Sequence, residues 1–171
     1  MGNKQRTFVD ANILVRGVTL PRFPYEVLRL GVLSDIRLIF SQQVQEEARR
    51  YITMKFPECL QIFERFLSIG KYQLVPNPSK EEVLANVNIV RDLKDVPIAL
   101  AAIKADAKYL ISTDSDLIDI DETTEELRKY ITPMSPGKFL NIIMNWSHEQ
   151  LYQISRRCWD DLTTPPFSIN S

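Results

Sequence analysis

The side chains of this chain that can do chemistry are mostly carboxylates, and four of them stand where secondary structure begins or ends. Asp10 follows the apolar run Thr7-Phe8-Val9, and Asp114 closes the run Tyr109-Leu110-Ile111-Ser112-Thr113. Both runs read as short buried strands, which puts both acids at the carboxyl-terminal edge of a parallel sheet. Asp95 opens the Ala-rich stretch Val96-Pro97-Ile98-Ala99-Leu100-Ala101-Ala102, and an acid before an early proline suits a helix start and an N-cap. Glu47 shares a helical face with Val44 and Ala48 and points inward, whereas Glu46 lies on the solvated side with Gln42, Gln45, Arg49 and Arg50. Four acids at one rim repel unless a counter-charge joins them. A divalent cation meets that need, and oxygen ligands without His or Cys suit Mg²⁺ or Mn²⁺.

Composition narrows the alternatives. The chain has 171 residues with 21 Lys+Arg against 22 Asp+Glu, a formal charge of −1, and this near-balance excludes a grip on nucleic acid by bulk charge. Its one His, His148, leaves no His-rich zinc site or His-based catalysis, and Cys59 and Cys158 make no disulfide framework or Cys-x-x-Cys pair. A reducing, cytoplasmic setting fits that cysteine usage. No signal peptide follows Lys4 and Arg6, and no apolar run approaches the ~20 residues that span a bilayer, so no membrane partner is expected.

The elements that must position these acids alternate between short strands and longer helices, which is the pattern of an α/β fold with a central parallel sheet. Strands are expected at Thr7–Val9, Leu38–Phe40, Tyr72–Val75 and Tyr109–Ile111, with an edge strand at Ile131. Ser41 caps the helix that carries Glu47. Ser79 and Glu82 form a capping box for a helix running to about Val90. Gly70 stops the preceding helix. Ser135-Pro136 opens a helix to Met144, and Ser147 with Gln150 opens a last one to about Trp159. Asp35, Asp92, Asp106, Asp119 and Asp121 read as surface or turn acids.

Phe8-Val9-Asp10-Ala11-Asn12-Ile13-Leu14 resembles the opening motif of PIN-domain nucleases. Ser41-Gln42-Gln43-Val44-Gln45-Glu46-Glu47 is similar to their second motif, Asp95 to Ala102 to the third, and Leu110-Ile111-Ser112-Thr113-Asp114-Ser115-Asp116-Leu117 to the fourth. The motifs fall in the family's order across residues 7–140, and the likeness is to the prokaryotic branch that includes VapC-like toxins. The resemblance implies a three-layer α/β/α fold, with residues 1–144 as the nuclease domain and 145–171 as a C-terminal helical extension and tail. It further implies a metal-dependent ribonuclease acting on single-stranded or structured RNA, leaving 5′-phosphate and 3′-hydroxyl ends. Asp10, Glu47, Asp95 and Asp114 would hold one or two Mg²⁺ or Mn²⁺ ions, with Asp116 as a further ligand and Asn12 and Thr113 orienting ligands and water. A toxin role implies an antitoxin protein as partner, and the family's habit of pairing implies a homodimer.

Arg16 and Arg22 beside the first motif, and Arg49, Arg50 and Lys55 along the second-motif helix, are candidates for guiding RNA; a solvated helix face is the other reading. The aromatic residues are dispersed along the chain and offer no base-stacking platform. Arg156-Arg157 near Trp159 suits either a phosphate or a docking contact. Two other classes stay open: a catalytically silent RNA- or protein-binding module, and a haloacid-dehalogenase-like phosphatase in which Asp10 attacks phosphorus. The last wants an Asp where Asn12 stands. An EF-hand at Asp114-x-Asp116 fails because Ile118 and Asp119 occupy positions that need a ligand and a glycine.

Overall fold

The strand Arg6–Val9 (β1) is an almost wholly buried run, and a strand buried on both faces needs parallel neighbours covered by helices. In the computed structural model, which describes residues 2–169, those neighbours are β2 (Arg37–Ser41) on one side and β4 (Tyr109–Ile111) on the other. Strands β3 (Gln73–Val75) and β5 (Thr132–Met134) complete an all-parallel sheet of order β3-β2-β1-β4-β5. The expected α/β architecture with a central parallel sheet is the observed one.

The chain leaves β1 through α1 (Ala11–Thr19) and α2 (Phe23–Val32) to β2, then through α3 (Gln42–Lys55) and α4 (Leu60–Ile69) to β3. These helices pack on one another over one sheet face. From β3 the path crosses back over β2 and β1 through α5 (Lys80–Ala85) and α6 (Val96–Lys104) to β4, and right-handed crossover puts this pair on the other face. Short helices α7 (Ser115–Ile118) and α8 (Glu125–Arg128) lead to β5, and α9 (Pro136–Lys138) runs into a π-helical turn at Phe139–Ile143. Because the chain winds away from β1 in one direction and from β4 in the other, the crevice between their carboxyl ends is the switch point where such sheets bind ligands.

Several local readings shift. The helix opened by the Ser79–Glu82 capping box stops at Ala85, not Val90, because Asn86 turns its amide back onto the Glu82 carbonyl oxygen and leaves helical geometry. The Ser147–Gln150 box opens α10 (His148–Ser155), which ends before a separate 3₁₀ turn at Trp159–Asp161. Gly70 adopts φ +70° as the left-handed stop of α4. At Gly31 a β-carbon would stand 2.8 Å from Leu38 Cβ, so α2 approaches β2 closely there only because the residue is glycine.

Residues 145–169 do not stand apart. Phe167 is fully buried, its ring 4.7 Å from Tyr25 and 5.2 Å from Phe66, and its backbone N–H donates to the Tyr25 hydroxyl. Arg157 meets Glu26, a fully enclosed acid of α2, at 2.5 Å. The segment thus closes the outer side of the α1–α4 layer. Among the described residues no helix is long and apolar enough to cross a membrane.

Candidate metal centre and adjoining cleft

Val9 pairs with Ile111 in the sheet, so the residues one step beyond, Asp10 and Ser112, face each other across the switch-point crevice. Register alone makes them neighbours. Ser112 Oγ donates to Asp10 Oδ2 at 2.9 Å and accepts from the Asp114 N–H at 3.0 Å and from Asn12 Nδ2 at 3.3 Å, which uses its one donor and both lone pairs. Asp10 Oδ1 accepts from the Ala11 N–H at 2.7 Å, capping α1, and Oδ2 also accepts from Asn12 Nδ2 at 3.1 Å. The Asn12 carbonyl oxygen takes the Thr113 N–H at 3.2 Å. Three of the roughly four acceptor directions of the Asp10 carboxylate are therefore filled and its orientation is fixed, leaving one for a cation.

Ser112 is the residue that sequence reasoning passed over. Thr113, expected to orient ligands and water by hydrogen bonds, is exposed and donates its backbone N–H to Asn12, while the buried hydroxyl next to it holds Asp10. The signal was a hydroxyl one step past a buried strand, in register with Asp10.

Asp95 occupies the other wall. It was expected to cap α6, but its side chain makes no capping bond; Asp92 instead caps the 3₁₀ turn Leu93–Asp95 by accepting from the Lys94 N–H. The Asp95 carboxyl is left free, and its Oδ2 is buried with no hydrogen-bond partner among the described residues. Burial, and then the charges of Asp114, Asp10, Asp92 and Asp116, push its pKa up from 3.8 to about 7. Asp10 is also raised, chiefly by burial, with Glu47 and Asp114 adding repulsion against its stabilising hydrogen bonds. Asp10, Asp114 and Asp116 thus lie near enough to Asp95 for their charge to act on it, and Glu47 near enough to Asp10, though Asp10, Glu47 and Asp114 stay outside the one tight carboxylate group among the described residues.

Asp92, expected as a turn acid, joins them. Asp92, Asp95 and Asp116 each offer a carboxylate oxygen within 4.8 Å of the other two. Asp116 lies 3.5 Å from the Arg91 guanidinium, and Asp114 Oδ1 accepts from the Asp116 N–H to start α7. Glu47 is half-buried and steadied by Gln43 Nε2 at 2.9 Å, while Glu46 is exposed. His148 lies at the exposed start of α10.

A cleft of about 1050 Å³ opens beside the acids, reached past Asn12, Glu47 and Thr113 and running between α1 and α3. Arg16, Arg22, Arg50 and Lys55 line it, whereas Arg49 turns away into a two-bond pair with Glu64 at 2.9 and 3.2 Å. Phe23, Tyr51 and Phe56, dispersed in sequence, come together on its walls.

No protein-family profile and no curated protein matches the chain. Solved structures do. PAE2754 from Pyrobaculum aerophilum aligns with 83% of this chain and 97% of its own at TM-score 0.54 and 13% identity. The likeness is one of fold. VapBC2 from Rickettsia felis, solved bound to a DNA fragment from their promoter, aligns with 75% of this chain and 97% of its own at TM-score 0.49 and 14% identity.

Proposed function

We propose that this chain is a Mg²⁺- or Mn²⁺-dependent ribonuclease of PIN-like type. The observation that carries the reading is Asp95: a carboxyl with a buried, unpartnered oxygen, burdened by four neighbouring acids, at the switch point of a parallel sheet. Such a group is costly in an empty site and suited to one that takes a cation.

The donor set is all oxygen, which fits a hard divalent ion. Asp10, Asp95 and Asp114 would hold it, with Glu47 on the cleft side and Asp116 and Asp92 available for a second ion or for water bound to the first. When bound, the ion supplies charge stabilisation at a phosphate and a water acidic enough to attack it. Ser112 and Asn12 keep Asp10 aimed inward, so no reorganisation of that carboxylate is needed at the reacting centre. Asp95 must give up a proton that its pKa of about 7 lets it keep, so ion affinity should climb with pH through that range. The basic and aromatic cleft provides for the strand on either side of the cut bond.

The motif likeness to the VapC-like branch supports a toxin role with an antitoxin partner and a paired subunit; an antitoxin-like reading frame beside the gene and a dimer mass in solution are the checks. For the activity itself, single-stranded RNA should be cut in Mg²⁺ or Mn²⁺, with EDTA or Asp114→Asn abolishing cleavage and leaving the circular dichroism spectrum unchanged. Undiminished cutting in EDTA would defeat the proposal. A metal-binding protein that cuts nothing would favour the silent module, and a phospho-aspartate at Asp10 the phosphatase.

A further inference from the structure

The cleft ends, away from the carboxylates, against the carboxyl-terminal segment, and two arginines join them. Arg22 Nε donates to the Arg157 carbonyl oxygen at 3.2 Å, and Arg157 Nε donates to the Pro21 carbonyl oxygen at 2.7 Å. Arg157 is itself anchored by Glu26 at 2.5 Å and lies over the Tyr25 ring, 5.7 Å from its centre. Trp159 Nε1 adds a bond to the Thr19 carbonyl oxygen at 3.1 Å. The whole α1–α2 corner is therefore held from outside by residues 157–159. An acid as enclosed as Glu26 needs counter-charges, and it takes Arg157 at 2.5 Å on one oxygen and Arg29 at 3.6 Å on the other, so the Arg157 contact is built in and not an incidental surface one.

Fixing that corner fixes Arg22. Its Nε is spent on Arg157, but its terminal nitrogens have no partner among the described residues, and it lines the cleft. Arg16, Arg50 and Lys55 also line the cleft without an acidic partner among the described residues, and the half-exposed Tyr51 ring lines it with them. A cleft lined by both cations and rings fits a single nucleic-acid strand, phosphates on the cations and bases on the rings. An acidic peptide would match the cations but not the carboxylate end, where Glu47 enters the cleft wall.

We infer that the carboxyl-terminal segment belongs to the substrate-binding apparatus: it presets Arg22 as a phosphate-holding cation at the cleft end remote from the carboxylates. The strand is then held along the nine residues of α1, about 13 Å, and not only at the bond to be cut. This rests on the reading of the site as one that acts on RNA. Arg157 acts here as a positioning residue, through Arg22.

The test measures binding without turnover. A fluorescein-labelled single-stranded RNA of about twelve nucleotides is titrated against Asp114→Asn protein in Mg²⁺ over a range of salt. Adding Arg22→Gln should weaken binding about ten-fold, as expected for one charge-assisted bond, and lower the log–log salt slope by about 0.7. Arg22→Lys should restore the slope. Glu26→Gln/Arg157→Met, which removes both charges of the pair together so that no bare acid is left, should lower the slope as Arg22→Gln does and add nothing to it. The inference is overturned if Arg22→Gln keeps affinity and slope, if the double variant melts lower yet binds as before, or if a polyglutamate peptide binds more tightly than the RNA. Arg22-dependent binding of an RNA that the unmodified protein never cuts would overturn the hydrolase reading alone. Cutting by the unmodified protein, with Arg22→Gln holding RNA equally well, would overturn this inference alone.

Discussion

Replacing Asp95 by Asn should make the metal-free protein more stable while removing its metal dependence. Moving a carboxyl pKa from 3.8 to about 7 corresponds to about 4 kcal/mol for a fully enclosed group. Asp95 is partly exposed, so solvent screening cuts that to roughly half, about 2 kcal/mol. The sign follows from proton binding: between pH 4 and 7 the folded state holds more protons than the unfolded one, so stability falls as pH rises and the full penalty is reached above about pH 7. The amide carries no charge, and its N–H₂ can donate to a neighbouring carboxylate. At pH 8 in EDTA, Asp95→Asn should therefore melt about 4–8 °C higher than the parent, a chain of this size shifting some 2–4 °C per kcal/mol. At pH 4.5, where the folded parent still carries the proton but the unfolded chain has mostly lost it, the gain should shrink to about a quarter of its value at pH 8. Adding Mn²⁺ at pH 8 should raise the parent and leave the variant nearly unmoved. Scanning calorimetry reads all three. A variant that melts below the parent at pH 8, or gains equally at pH 4.5, refutes the account of Asp95 as a strained carboxyl kept for a cation.

Ser112→Ala removes the hydroxyl that orients Asp10; metal-dependent cleavage should fall roughly 10–100-fold and Mn²⁺ affinity with it, as read by titration calorimetry. Gly31→Ala drives a methyl into Leu38 and should cost about 1–3 kcal/mol, visible as a lower urea midpoint at constant slope. Phe167→Ala empties a fully buried ring position and should cost about 3–5 kcal/mol in one cooperative transition; a separate early transition would instead mean that residues 145–169 unfold apart from the sheet.

The placement of Asp10 and Asp114 was legible because a short apolar run ending in an acid has few readings in an α/β chain. Helical periodicity likewise separated half-buried Glu47 from exposed Glu46. Asp92 was not legible. It lies in the irregular stretch after Asn86, where no periodicity assigns a face; the 3₁₀ turn Leu93–Asp95 sets it beside Asp95, and only the fold brings the two to Asp116. Ser112 was hidden by register, a property of two strands 102 residues apart. Arg157 read equally well as a phosphate ligand, since nothing local reveals an enclosed Glu26 131 positions away. The aromatic walls of the cleft were invisible for the same reason: Phe23, Tyr51 and Phe56 meet only once α1, α2 and α3 are packed.

The strand order has a consequence for how such a protein can change. Most of the cleft is shaped by α1, α2, α3 and Ser155 of the carboxyl-terminal segment, with Thr113 and Ser135, Pro136 and Gly137 closing it from the β4–β5 side, whereas Asp95, Asp114 and Asp116 come from the elements that lead into and out of β4. Only Asp10 and Glu47 are contributed from the cleft side. Gripping thus falls mainly to the half of the molecule on the β2 side of β1 and the holding of charge mainly to the half on the β4 side. Surface changes on α1 and α3 can alter what is gripped without disturbing the carboxylates, and the two halves can diverge at different rates within one continuous sheet.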